Sequence, residues 1–135
     1  MKKLLVMIMG LFAVIAFSWQ PTSVTAGEKW SENYLSTLSK GDCKGIASGD
    51  KSYCETNDCK GIAKKDKSYC DTADCKGVAK GDKSYCTTAL CKGWASKDKS
   101  YCSKGDCKGV ATGDKSYCSS RQCKAIASKD KSYCP

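Results

Sequence analysis

The spacing of its cysteines constrains this chain more than any other feature. Between Cys43 and Cys134, twelve cysteines alternate between gaps of ten and four residues, so the sequence repeats every 16 positions. Six units result: CKGIASGDKSYC (43–54), CKGIAKKDKSYC (59–70), CKGVAKGDKSYC (75–86), CKGWASKDKSYC (91–102), CKGVATGDKSYC (107–118) and CKAIASKDKSYC (123–134). The spacers ETND, DTAD, TTAL, SKGD and SSRQ vary freely. Such a period implies a repetitive architecture in which each unit supports its neighbours.

The rest of the composition leaves the cysteines little help. Residues 27–135 hold only eight Leu, Ile and Val (Leu35, Leu38, Ile46, Ile62, Val78, Leu90, Val110 and Ile126) and no Phe. So few apolar side chains do not keep a chain of this size folded by themselves. In an exported chain this cysteine density reads as a disulfide scaffold. The expected pairing is within units: Cys43–Cys54, Cys59–Cys70, Cys75–Cys86, Cys91–Cys102, Cys107–Cys118 and Cys123–Cys134. It uses all twelve cysteines, whereas pairing across spacers strands Cys43 and Cys134. Spacing alone leaves connectivity open. Each within-unit bridge would contribute about 3 kcal/mol in the chain-entropy picture.

Export itself is read from the start of the chain. Lys2 and Lys3 precede an apolar run from Leu4 to Phe17, and Val24-Thr25-Ala26 offers the small residues that signal peptidase requires. The expectation is a bacterial signal peptide over 1–26, cleaved after Ala26, and a secreted or periplasmic product. The apolar run is shorter than the roughly 20 residues a stable transmembrane helix needs, so it reads as a cleaved signal rather than an uncleaved anchor, and no stable membrane span is expected in the mature chain.

Within a unit the helical reading is the preferred one. Asp50 and its equivalents are placed to N-cap a short helix Lys-Ser-Tyr-Cys. Asp42, Asp58, Asp74 and Asp106, each just before a unit, are placed to cap a second helix through Cys-Lys-Gly-Φ-Ala. Gly61-Ile62 fits a helix C-cap with its hydrophobic contact, from which Ala125 departs. The fold class expected is therefore a small disulfide-rich, all-α protein of short helical hairpins stacked as a solenoid-like array. The alternative is a row of disulfide-closed β-hairpins, with turns such as Ser48-Gly49 and Thr112-Gly113. Residues 27–42 read as a capping helix: Ser31 as N-cap, Trp30 and Leu35 as a hydrophobic staple, and Tyr34, Leu35 and Leu38 on one face. Residues 43–134 form the repeats. The seventh place of the unit alternates Gly49, Lys65, Gly81, Lys97, Gly113, Lys129, which indicates a 32-residue super-repeat.

The pattern C-x-x-Φ-x-x-x-D-x-x-x-C over residues 43–134 resembles short cysteine-rich repeats of uncharacterised exported bacterial proteins. What the resemblance implies is a helical fold and no particular function.

The sequence excludes much chemistry. There is no histidine, and Glu occurs only at 28, 32 and 55. Ser-His-Asp and Cys-His nucleophiles and His-based metal sites are therefore absent. No C-x-x-C pair, dense oxygen cage or phosphate loop is present. An enzyme is not expected, and neither is a cofactor or a metal centre. The positive candidate is a Lys/Tyr ladder built from the second-place lysines (Lys44, Lys60, Lys76, Lys92, Lys108, Lys124) and from the lysines of Lys-Ser-Tyr (Lys51, Lys67, Lys83, Lys99, Lys115, Lys131). Residues 27–135 carry 21 Lys+Arg against 14 Asp+Glu, a net +7. Stacked in rows, these ammonium groups and rings suit a polyanion such as an anionic envelope polymer. The Asp in every unit dilutes the field, so nucleic acid is not the expected partner. The leading reading is a non-enzymatic, disulfide-stapled scaffold with a structural or binding role at the cell envelope, towards a polyanion or a protein partner. The alternatives are a secreted cationic effector, antimicrobial or inhibitor-like, and a thiolate metal or redox buffer.

Overall fold

The computed structural model describes residues 30, 31 and 33–135. The expected signal peptide and its cleavage point lie outside them. Six short helices follow one another: α1 (Lys40–Ser48), α2 (Asn57–Lys64), α3 (Ala73–Lys80), α4 (Ala89–Ser96), α5 (Gly105–Thr112) and α6 (Arg121–Ser128). Each is followed by a 3₁₀ turn over Lys-Ser-Tyr, from Lys51–Tyr53 to Lys131–Tyr133. No strand occurs among the described residues. The chain is thus a small, disulfide-rich, all-α repeat array, and the β-hairpin alternative is not adopted.

The turns start as the sequence predicts. In every unit the Asp carboxylate caps the 3₁₀ turn, accepting from the Ser N–H two residues on at 2.9 Å. The longer helices start differently. Five of the six N-caps, Ser39, Thr56, Thr72, Thr88 and Ser120, have hydroxyl oxygens that accept from the backbone N–H three residues on, and the sixth, Lys104, makes no such bond. Each helix therefore begins before its Cys, and Asp42, Asp58, Asp74 and Asp106 sit inside the first turn rather than capping it. Their buried carboxylates reach the next spacer instead. Asp58 accepts from the N–H of Asp71 at 2.8 Å, from the N–H of Thr72 at 3.3 Å and from the Thr72 hydroxyl at 2.9 Å. Asp42, Asp74 and Asp106 hold the following spacers in the same manner. These four residues fasten unit to unit.

The helix ends also differ from expectation. The left-handed residue is the seventh place, not the Gly of Gly-Φ. After α2, Lys65 stands at φ 56°, and the Asp66 N–H reaches back to the Gly61 carbonyl at 2.9 Å, which is a Schellman closure. Gly61 lies mid-helix for a steric reason: a Cβ there would overlap the Sγ of Cys70 and sit 3.0 Å from that of Cys75. Gly45, Gly77, Gly93 and Gly109 lie against the bridges Cys54–Cys59, Cys86–Cys91, Cys102–Cys107 and Cys118–Cys123 in the same way.

Those contacts reveal the pairing, and it is not the one expected from spacing. The bridges are Cys54–Cys59, Cys70–Cys75, Cys86–Cys91, Cys102–Cys107, Cys118–Cys123 and Cys43–Cys134, with no cysteine left free. The within-unit pairs are therefore corrected, all six of them. Cys54, before the spacer, and Thr56, within it, are extended (ψ 130° and 156°), so the chain turns between the 3₁₀ turn and the helix. This sets the two cysteines 5.5 Å apart at Cα, within disulfide reach. In the first five units the last cysteine lies on the unit's own helix glycine and meets the first cysteine of the next unit.

Cys43 and Cys134 are not stranded, because the array closes into a ring. α6 packs on α1 as each helix packs on the next one in sequence, and the Cys43–Cys134 bridge joins units separated by 91 residues. All six bridges suit an oxidising, extracytoplasmic environment, and no helix among the described residues is long and apolar enough to cross a membrane.

Among the described residues, the segment before α1 does not form the helix expected over 27–42. Tyr34–Thr37 forms a 3₁₀ turn, and Leu38 is extended. Ser31 contributes its carbonyl to the Tyr34 N–H, at 2.8 Å, rather than a side-chain cap to a helix. Trp30 and Leu35 are fully buried, and Trp30 stacks on Tyr34 at 4.3 Å and lies 6.2 Å from Trp94. The segment is pinned at the starts of α5 and α6: the Gln122 amide donates to the carbonyls of Ser36 and Leu38, and Lys104 donates to Asn33. It covers the face of the ring where the helices begin. Two sequence irregularities follow. The place held by Asp in four units is Gln122 in α6, where it holds this segment. In α4 it is Leu90, fully buried in the same apolar cluster as Trp30 and Leu35.

Candidate functional site

Ring closure brings one position of every unit to a common centre. The fourth-place residues Ile46, Ile62, Val78, Trp94, Val110 and Ile126 line a single bowl of 940 Å³, together with the alanines that follow them. This size falls in the ~300–1,000 Å³ range of small-molecule sites. In the helices, these two adjacent places face inward because the bridges occupy the sides. The bowl opens where the helices end, opposite the N-terminal segment.

Its rim is formed by the seventh-place residues. Gly49, Lys65, Gly81, Lys97, Gly113 and Lys129 all border the bowl, and all six have positive φ. Three lysines therefore alternate with three glycines around the mouth. Lys80 also borders the bowl, and none of the residues lining it is acidic. A side chain in the left-handed region costs about 1–2 kcal/mol relative to glycine. A cation at a helix C-terminus returns about 0.3–1 kcal/mol. On these magnitudes Lys65, Lys97 and Lys129 do not improve the fold over the glycine that serves the alternate units.

The twelve lysines singled out in the sequence lie elsewhere. Lys51, Lys67, Lys83, Lys99 and Lys115 each donate to the Tyr hydroxyl of the following unit, at 2.6–3.1 Å, and Lys131 donates to Tyr53 at 2.9 Å, completing the circle. Each ammonium also stands 4.7–5.3 Å from the centroid of that ring. The hydrogen bond to tyrosine holds Lys83, Lys99, Lys115 and Lys131 above the ordinary lysine value. This ladder is therefore a continuous seam between units, its cations already engaged. The capping aspartates run beside it and are held below the ordinary carboxylate value, chiefly by hydrogen bonds from the serines they cap. Lys44, Lys60, Lys76, Lys92, Lys108 and Lys124 are half-buried on the helices and do not line the bowl.

The rim lysines are the residues that sequence reasoning passed over. Their signal was the strict alternation of the seventh place, which was visible but had no location until the ring closed. Three sets, such as Asp42 with Cys54 and Cys59, place a carboxylate and two sulfurs within 4.8 Å of one another, but those sulfurs are spent in disulfides. Comparison of the chain with protein-family models, with curated proteins and with solved structures gave no match.

Proposed function

We propose that this chain is a secreted or periplasmic, non-enzymatic binding ring of the bacterial cell envelope, and that its central bowl receives a small apolar or amphiphilic ligand. The single observation carrying this reading is that all six units converge on one concave surface with an apolar floor. The disulfides and the Lys/Tyr seam are the frame that holds it. A polyanion-binding ladder is supported less well, because its ammonium groups are engaged by tyrosines.

Trp94 supplies the test, since it lies in the bowl. Titration of the folded, oxidised chain with the neutral apolar dye N-phenyl-1-naphthylamine should change tryptophan fluorescence saturably, at about one dye per chain. The change should be largely lost in Trp94→Ile, which installs the residue of other units. A linear, non-saturating response would reject the bowl as a ligand site.

A further inference from the structure

We infer that the bowl selects an amphiphile with a tetrahedral anionic head, an alkyl phosphate or alkyl sulfate, its chain on the Ile/Val/Trp floor and its head among Lys65, Lys97 and Lys129. The inference rests on the reading of the bowl as a ligand site and adds the chemistry of the head.

Charge comes first. Four lysines, Ser48 and Thr112, and no acid, border a concavity whose floor is apolar. The acids nearest in sequence, Asp50, Asp66, Asp82, Asp98, Asp114 and Asp130, do not line the bowl and are occupied as caps of the 3₁₀ turns, and of the four lysines only Lys80 has one of them, Asp66, as an electrostatic neighbour. An apolar floor under a cationic rim is complementary to a molecule with an apolar end and an anionic end.

Spacing around the ring comes second. Units alternate Gly and Lys, so the three lysines occupy every second position of six and repeat around a pseudo-threefold axis through the mouth. A phosphate monoester or sulfate presents three terminal oxygens around such an axis, whereas a carboxylate presents two. Lys carries a flexible point charge able to reach inward from the rim. The glycines at 49, 81 and 113 leave gaps between the three chains, where six lysines would crowd and repel one another.

Backbone conformation comes third. Lys65, Lys97 and Lys129 are the only non-glycine residues with positive φ among the described residues. Conformational cost borne without a gain in fold stability marks positions kept for another purpose.

The test titrates the oxidised chain with monododecyl phosphate, with neutral dodecyl maltoside and with inorganic phosphate, each below its aggregation concentration, by calorimetry and Trp94 fluorescence. The phosphate amphiphile should bind at least about tenfold more tightly than the maltoside, as three solvent-exposed ammonium contacts of a few-fold each would give. Inorganic phosphate should bind far more weakly than either. Lys65→Gly/Lys97→Gly/Lys129→Gly, which installs the residue of the alternate units and so keeps the fold, should bring the two amphiphiles to within about threefold. Lys51→Ala/Lys83→Ala/Lys115→Ala, which removes the same charge from the seam, should keep the preference. Equal binding of both amphiphiles to the unaltered chain overturns the inference while leaving the bowl as a ligand site. So does an equal loss in both triple variants, or inorganic phosphate binding as tightly as dodecyl phosphate. Attachment to phosphatidic acid vesicles without binding of monomeric dodecyl phosphate also overturns it, in favour of a membrane-surface contact. Failure of all three ligands and of the neutral dye removes the underlying reading instead.

Discussion

Removing the Cys43–Cys134 bridge should destabilise the ring more than removing any other. This bridge spans 91 residues, and each of the other five spans five. In the chain-entropy picture the long loop contributes about 4.6 kcal/mol and a short one about 2 kcal/mol. The five short bridges act as shortcuts that trim the long loop, lowering its contribution only to about 4.4 kcal/mol because the dependence is logarithmic. Burial scarcely distinguishes the pairs: Cys43 and Cys134 are 0% and 6% exposed, Cys75 and Cys70 are 0% and 8%. Comparing Cys43→Ala/Cys134→Ala with Cys70→Ala/Cys75→Ala therefore cancels the lost side-chain contacts and isolates the loop. Guanidinium melts of both variants against the unaltered oxidised protein give the two losses, and the first should exceed the second by about 2 kcal/mol. The closing helices should still dock in the first variant, since α6 packs on α1 and Lys131 bonds Tyr53. Equal losses would refute a closed covalent ring. A Cys43–Cys54 cross-linked peptide in a non-reducing digest of the unaltered protein would refute it more directly.

Gly61→Ala should destabilise, although Ala is the better helix former by about 1 kcal/mol. Its Cβ would overlap the Cys70–Cys75 sulfurs, an overpacking worth about 1–3 kcal/mol or more, and a free-thiol assay should detect incomplete closure of that bridge. Asp58→Ala should cost about 2–4 kcal/mol by thermal melt, since it removes the acceptor of two backbone N–H groups and one hydroxyl. Stability should fall in acid and again in strong alkali, with a plateau between. Burial acts to raise the Asp106 carboxyl, but hydrogen bonds from Ser119 and Ser120 outweigh it and hold the group below its ordinary 3.8. Its contribution is thus present above pH 3.8 and lost as pH falls through the lower folded value. Lys83, Lys99, Lys115 and Lys131 are held above their ordinary 10.5, so theirs is complete below 10.5 and lost as pH rises through the higher folded value. A circular-dichroism melt series across pH checks both limbs, and a loss of stability setting in near neutrality would contradict the assignment.

Local structure was legible in the sequence where a residue does one thing only. Asp in Asp-Lys-Ser-Tyr has a short side chain two residues before a Ser N–H, and it caps the turn as read. The helical class was legible for the same reason: few β-branched residues and frequent caps. Residues that act between units were misread, since a linear pattern does not show which neighbour a side chain meets. Asp58 resembles a cap for its own helix and in fact holds the next spacer. Gly61 resembles a helix end and in fact makes room for a bridge. The bowl and its rim were out of reach, because they exist only once the sixth unit meets the first.

Within-unit pairing is favoured by spacing only if the units stand in an open row. Pairing across spacers leaves two cysteines over only in an open row. In a circle the gap between Cys134 and Cys43 is a sixth junction, and the two pairing schemes use the cysteines equally well. One residue distinguishes them. Under spacer pairing the third-place Gly of each unit lies on the bridge to the next, and Gly45, Gly61, Gly77, Gly93 and Gly109 all do so. The unit that departs is the last, with Ala125, and its outgoing bridge is the one to Cys43, where no spacer links the two cysteines. Ala125 is fully buried there, so its methyl group is accommodated at the one junction the chain does not cross. Under within-unit pairing all six bridges would be alike, and the last unit would have no reason to differ. Ala125→Gly should therefore leave the Cys43–Cys134 bridge fully formed, at a cost of about 2 kcal/mol from helix propensity and the buried methyl together. Gly109→Ala, made at a junction with a spacer, should instead leave Cys118 and Cys123 incompletely bridged, because its Cβ would overlap their sulfurs. Matched melts and free-thiol assays of these two variants test the closure from the side of the glycines. Equal sensitivity at 109 and 125 would mean that the junction at Cys43–Cys134 does not differ from the rest.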